Sequence, residues 1–245
     1  MIDNAAEIGQ WLEEHNITKY LINEDLSVDV DGAVILNNLD LTELPVQFNS
    51  IKTSLYLNDN KLTTLKGCPR QLGGHFIIDH NQLVSLEYCP EIIKGNFDCK
   101  YNKLESLEYG PKTVGRDYVC SHNSLKSLEH SPEHVGNNFD CGSNYIEDLK
   151  YLPKTIDGDL LVSYQDIMLI REFPTKLKGN FIHAVKKNDM KAGNVIRTLG
   201  DYYEPEGDKY IVSLSATALS YIIMHQNLNK SIRNKTNQAN NKNKI

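Results

Sequence analysis

The sequence predicts an α/β solenoid: a stack of 21-residue coils, each giving one short strand to a parallel β-sheet on the concave face. Three observations predict it. Prolines fall at positions 69, 90, 111, 132, 153 and 174. Asparagines fall at 60, 81, 102, 123 and 144. Leucines fall at 65, 86, 107, 128 and 149, and Ile170 continues the series. Several residue types keeping one period mark a repeat architecture, in which a unit buries its apolar face only against its neighbours.

Each part of the unit has a physical reason. In Phe97-Asp98-Cys99 the alternation turns Phe97 and Cys99 inward and Asp98 outward, which is a short β-strand. Stacking such strands produces two inward columns. One is Val34, Leu55, Phe76, Phe97, Tyr118, Phe139, Leu160 and Phe181. The other is Leu36, Leu57, Ile78, Cys99, Cys120, Cys141 and Val162, fraying at His183. After the strand the chain turns inward, and an asparagine amide there can satisfy backbone groups that would otherwise be buried without partners. Leu39 and Gln165 replace it at the two ends. A further column, Ile51, Leu72, Ile93, Val114, Val135, Ile156 and Leu177, should seal the back of the coil. The recurrent proline fixes φ and opposes a regular helix, so the convex return is expected to be irregular or a 3-10 turn. Gly73, Gly74, Gly95, Gly115, Gly136, Gly158 and Gly179 are expected to permit the bend into the next strand.

The unit x-F/Y-x-C-x-x-N-x-L-x-x-L resembles the leucine-rich-repeat core over roughly residues 31–185. Its length, its proline and its x-S-L-E segment look like bacterial and bacteriophage leucine-rich-repeat proteins. Effector ligases with a similar repeat add a catalytic domain carrying a nucleophilic cysteine. No cysteine lies beyond Cys141, which excludes that subclass. The resemblance implies a protein-binding solenoid. In a phage product, inhibition of a host or defence protein would suit the design.

The ends are expected to be caps. Residues 1–30 form the first, with an amphipathic helix over Ala5–Glu14 that places Ile8, Trp11 and Leu12 on one face. Residues 17–30 then read as extended, and Asp31-Gly32 as a turn. Residues 186–226 form the second. It should hold a helix from Met190 to Leu199, a short strand at Tyr210–Val212, and a helix carrying Leu219, Ile222, Ile223 and Met224 that Ser213 or Ser215 caps. Residues 227–245 carry five basic side chains, seven asparagines and no acidic group, a composition that predicts disorder.

The net charge of −6 becomes −11 once that basic tail is set aside. An acidic body opposes nucleic-acid binding, which must neutralise phosphates. For the tail, a solvated, inert end is the expectation, and a nucleic-acid or membrane contact is the alternative. No run approaches the roughly 20 apolar residues of a membrane span, and the acidic start lacks the basic region of a secretory signal. The five cysteines all fall in repeat columns and read as small core hydrophobes with free thiols. A cytoplasmic location is expected, that of the host cell if the chain is phage-encoded.

Function should sit on the outward positions of the strands and the loop after them. The candidate protein-binding residues are Tyr56, His75, Asp79, His80, Asp98, Tyr101, Asp117, His122, Asp140, Asp159 and Tyr164. The aspartates should repel one another and invite a partner with a basic surface. Tyr56, Tyr101 and Tyr164 should anchor it. His75, His80 and His122 share this face, but without the tight spacing of metal ligands. Asp98 with Asp117 or Asp140 could pair as carboxylates, although a sheet face lacks the pocket that tunes them. Nucleophile-elbow, phosphate-loop and dinucleotide motifs are missing. The expectation is therefore a non-enzymatic binding module with no cofactor, metal or small-molecule substrate. The alternative is a structural protein assembling through the solenoid edges or caps.

Overall fold

The computed structural model describes residues 1–163, 176–186, 202–206 and 209–215. Through most of them runs a parallel β-solenoid with a 21-residue register. Tyr118–Val119 pairs with Phe97–Asp98 on one side and with Phe139–Asp140 on the other. The same register links Val34–Ile35 through to Leu160–Ser163 and the strand Asn180–Lys186. These strands form the first sheet. At its far end Asn180–Lys186 pairs antiparallel with Lys209–Ser215, which pairs antiparallel with Tyr202–Glu206.

The inward columns pack as their apolar character requires. Phe76, Phe97, Tyr118 and Phe139 are fully buried, as are Cys99 and Cys120 beside them. Rings on successive coils touch, with centroids 5.9, 5.0 and 5.3 Å apart from Phe76 to Phe139. Each ring buries roughly 2–3 kcal/mol of transfer free energy, so these columns dominate the stability of the stack.

The return segment differs from expectation. It is a second parallel sheet, made mostly of two-residue strands such as Ile92–Ile93, Thr113–Val114 and His134–Val135. The sealing column supplies its inward residues: Ile93, Val114, Val135 and Ile156 are all fully buried. Two adjacent coils therefore share hydrogen bonds on both sheets.

The glycines between the two strands of a coil also act differently. They carry no left-handed φ; the constraint is close approach. A Cβ on Gly136 would lie 2.1 Å from the carbonyl oxygen of Gly115, and one on Gly115 would lie 2.3 Å from that of Lys94. The coils touch backbone to backbone at this corner, and a side chain would force them apart. Ion pairs also tie coil to coil, such as Lys112 with Glu91 at 2.8 Å and Lys154 with Glu133 at 3.0 Å. All four side chains are about 70% exposed, so each pair contributes no more than about 1 kcal/mol.

At the start of the chain lies the helix Ala5–Glu14. The Asn4 side chain accepts the Glu7 N–H, and Ile8 and Leu12 are buried in the core cluster with Trp11 packed half-buried against it. Residues 17–30 are an antiparallel hairpin, with Tyr20–Ile22 against Val28–Val30, instead of one extended run. Toward the other end, the strand expected at Tyr210–Val212 extends over Lys209–Ser215, which places Ser213 inside a strand instead of at a helix start. The expected helices at 190–199 and 219–224 lie outside the described residues, as do Tyr164, Gln165 and the tail. Among the described residues no helix is long and apolar enough to cross a membrane.

Candidate functional site

The outer face of the first sheet is built of columns with different duties. The asparagine column lies at its edge and points inward. Asn123 donates from Nδ2 to the carbonyls of Cys99 at 3.0 Å and Cys120 at 3.1 Å, while its Oδ1 accepts the Leu104 N–H at 3.0 Å. Asn81, Asn102 and Asn144 repeat this pattern, and Asn60 does so against Leu36, Leu57 and Leu41. Each amide thus bonds its own coil and the preceding one.

The column just before the strand is a second ladder, running the opposite way. Ser54 Oγ accepts the His75 N–H, and His75 Nδ1 accepts the Asn96 N–H at 3.0 Å. Asp117 Oδ1 accepts from Asn138 N–H at 3.1 Å and from Asn137 Nδ2 at 2.7 Å. Asp159 Oδ1 accepts the Asn180 N–H at 2.7 Å. Three of the candidate residues, His75, Asp117 and Asp159, therefore hold backbone groups of the next coil.

The strand residues between the inward columns are half-buried: Tyr56, Ile77, Asp98, Val119, Asp140 and Leu161. Ile35, at the edge of the sheet, is 62% exposed. Asp98 binds Lys100 twice, through Nζ at 2.8 Å and through the backbone N–H at 3.1 Å. Burial nevertheless pushes its carboxyl above the usual carboxylate range, against the pull of Lys100. Asp140 Oδ1 accepts the Gly142 N–H at 2.9 Å. Asp79 is buried and lies 2.7 Å from His80 Nδ1. The aspartates of this face are thus each held by a local donor.

The loop position after the strand carries the most exposed candidates. His80, Tyr101 and His122 stand in one column and stack, with centroids 4.4 and 4.1 Å apart and planes 23° and 10° from parallel. Every member of the column has a left-handed backbone, φ 53° at His80, 51° at Tyr101 and 55° at His122, as do Asp59 and Ser143 on either side. A non-glycine residue there costs roughly 1–2 kcal/mol, which the inward asparagine that follows and the stacking offset. Of the candidates, His80, Tyr101 and His122 are brought into contact with one another and Asp79 is joined to His80.

Burial pushes the thiols of Cys99, Cys120 and Cys141 up, so no thiolate is offered at neutral pH. Among the described residues no three His, Cys, Asp or Glu side chains are placed to hold a metal ion.

A second feature escaped the sequence. An open trough of about 1520 Å³ lies along the second sheet, between the hairpin and the turns at Pro69 and Pro90. Leu21, Tyr88 and Ile92 line it at 52–62% exposure, with Lys19, Arg70 and Lys94 among its charged groups. Its only sequence signal is an exposed isoleucine, Ile92, directly before the sealing Ile93. Compared with family models, curated proteins and solved structures, the chain matches none of them.

Proposed function

We propose that the chain is a leucine-rich-repeat protein that binds, and thereby masks or inhibits, a protein partner through the outer face of its first sheet, without catalysis. The observation that carries this reading is the exposed His80–Tyr101–His122 stack. A solvated face has no need to hold three rings in left-handed turns with 43% of Tyr101 in water. Half-buried Ile77 and Val119 beside it supply apolar area, and the acidic groups favour a partner with a basic surface. The repeat assignment is supported by the asparagine ladder and the 21-residue register of parallel strands. The short proline-bearing unit supports a bacterial or bacteriophage origin and action in the cytoplasm, where a phage-encoded chain would meet a host or defence protein.

The test compares wild type with a Tyr101→Ala, His122→Ala, Val119→Lys variant in affinity capture from the native host. These positions carry no backbone-holding hydrogen bond, so the variant keeps its circular dichroism spectrum. A partner held by wild type and lost by the variant supports the reading; equal capture by both refutes it.

The second reading is assembly through the solenoid edges. It draws support from Leu21 and Ile35, each 62% exposed on a strand at the sheet margin. Sedimentation velocity separates the two: edge assembly shows a mass that grows with protein concentration, whereas a partner-binding module stays monomeric alone.

A further inference from the structure

We infer that the Asp59 end of the ring stack is a seat for an arginine side chain of the partner. This deepens the proposed reading of the first-sheet face and rests on it. The rungs of the stack repeat every 21 residues, and the next rung before His80 is Asp59. Its φ of 56° matches the 53° of His80, so the same backbone presents a carboxylate where the ladder would otherwise continue with a ring.

Tyr101 covers one face of the His80 ring at 4.4 Å. Asp59 is the rung on the opposite side of His80 from Tyr101 in the 21-residue order, and the His80 side chain is 46% exposed. The ring is held in place through Nδ1, 2.7 Å from a carboxylate oxygen of Asp79, whose own side chain is only 12% exposed. The Asp79 carboxylate at Nδ1 fixes the plane of the ring, and that plane is a surface on which a flat guanidinium can lie.

Charge around the seat is unevenly matched. Asp98 is neutralised by Lys100 at 2.8 Å, and Asp40, one coil before Asp59, by Lys61 at 2.8 Å. Asp59 is exposed and accepts from Asn58 Nδ2 at 2.6 Å, but no cation pairs with it among the described residues. A planar group that can lie flat on an imidazole and present paired N–H donors to a carboxylate fits this arrangement. Guanidinium has both properties; an ammonium has the charge without the plane or the fork. The ligand class is therefore an arginine-bearing segment, and lysine is a poor substitute.

The experiment titrates full-length protein with arginine amide and, separately, lysine amide at constant ionic strength, following the ring signals of His80 and Tyr101 by NMR. The expected result is a saturable shift of both rings with arginine amide. Lysine amide should bind about fivefold more weakly, and Asp59→Asn should weaken arginine amide about fivefold while the other histidine signals stay in place. Equal responses to the two amides, an undiminished response in Asp59→Asn, or no response at His80 each overturn the seat. Should the seat fail while the partner is still lost by the Tyr101→Ala, His122→Ala, Val119→Lys variant, the binding face stands without it. Capture unaffected by that variant removes the face as well.

Discussion

Replacing Asn123 by alanine isolates the energy of a single rung of the asparagine ladder. The side chain is 7% exposed and sits in the middle of the stack. Its Oδ1 is the acceptor for the Leu104 N–H, and its Nδ2 is one of two side-chain donors to the carbonyls of Cys99 and Cys120, the others being Asn102 and Asn144. Alanine therefore orphans one buried N–H outright and halves the coordination of two carbonyls. An orphaned buried donor costs about 1–3 kcal/mol and each partly replaced bond about 0.5–1, giving a loss of about 3 kcal/mol. For a chain of 245 residues that corresponds to a fall in Tm of about 6–9 °C. Urea unfolding followed by circular dichroism measures it. Asn144→Ala, at a half-buried rung where water can replace the amide, should lose clearly less. Asn123→Asp keeps the acceptor but sets a carboxylate against two carbonyls, and should be no better than alanine at neutral pH. A loss below about 1 kcal/mol for Asn123→Ala, or an aspartate as stable as wild type, would refute the reasoning.

Three further outcomes test other parts of the structure. Gly136→Ala places a Cβ 2.1 Å from the Gly115 carbonyl oxygen and should cost about 3 kcal/mol or more, whereas Gly32→Ala, with nothing within 4 Å, should be close to neutral; equal urea midpoints would sink the close-approach argument. Hydrogen bonds from Ser50, Asn23 and Asn49 hold the Asp29 carboxyl below its ordinary range, so its contribution is present above the unfolded value of about 4 and is lost as pH falls. Asp98 is pushed the other way by burial, so the stability it lends at acid pH is lost as pH rises through its raised pKa. Melting curves from pH 3 to 7 should show the deficit of Asp29→Asn closing toward acid pH and Asp98→Asn gaining on wild type as pH rises; parallel curves contradict both signs. Burial raises the thiol pKa at all five cysteines, and Cys68, Cys99, Cys120 and Cys141 are closed to solvent while Cys89 is half-buried, so a disulfide reagent at pH 7.5 should titrate no more than one rapidly in native protein and all five in urea; a second fast native thiol argues against the core placement.

How much of this was legible depends on whether the signal lay in residue identity or in backbone geometry. The inward columns and the asparagine ladder were readable because each repeats one kind of side chain every 21 residues, and packing admits little else there. The second sheet was not, although its sealing column was seen. A two-residue strand such as Thr113–Val114 turns a single side chain inward, so no alternation exists to betray it, and the proline before it suggested irregular chain. At the site, the columns located His80, Tyr101 and His122, but their stacking follows from a left-handed turn that no glycine advertised. His75, Asp117 and Asp159 belong in the sequence to an outward column of candidate binding residues, and in the structure each holds backbone of the next coil. The succession Ser54, His75, Asn96, Asp117, Asn138, Asp159 holds nothing but hydrogen-bond acceptors, and that common property was the overlooked signal of a second ladder.

The direction of the asparagine bonds gives the stack an order in time. Asn123 completes the coil before its own: until it is in place, the Leu104 N–H has no acceptor. During synthesis from the N-terminus, a newly emerged coil stays chemically unfinished until its successor has left the ribosome and turned inward. The growing tip is therefore always the least stable part, and folding proceeds as a zipper that trails the polymerisation of the chain by about one coil. A ribosome stalled within a coil would display a frayed last turn on a finished stack. A chain cut from its C-terminal side would lose the asparagine acceptors of the coil left at the new end, while a cut from the N-terminal side would remove the acceptors before the strand, such as His75 Nδ1 for the Asn96 N–H.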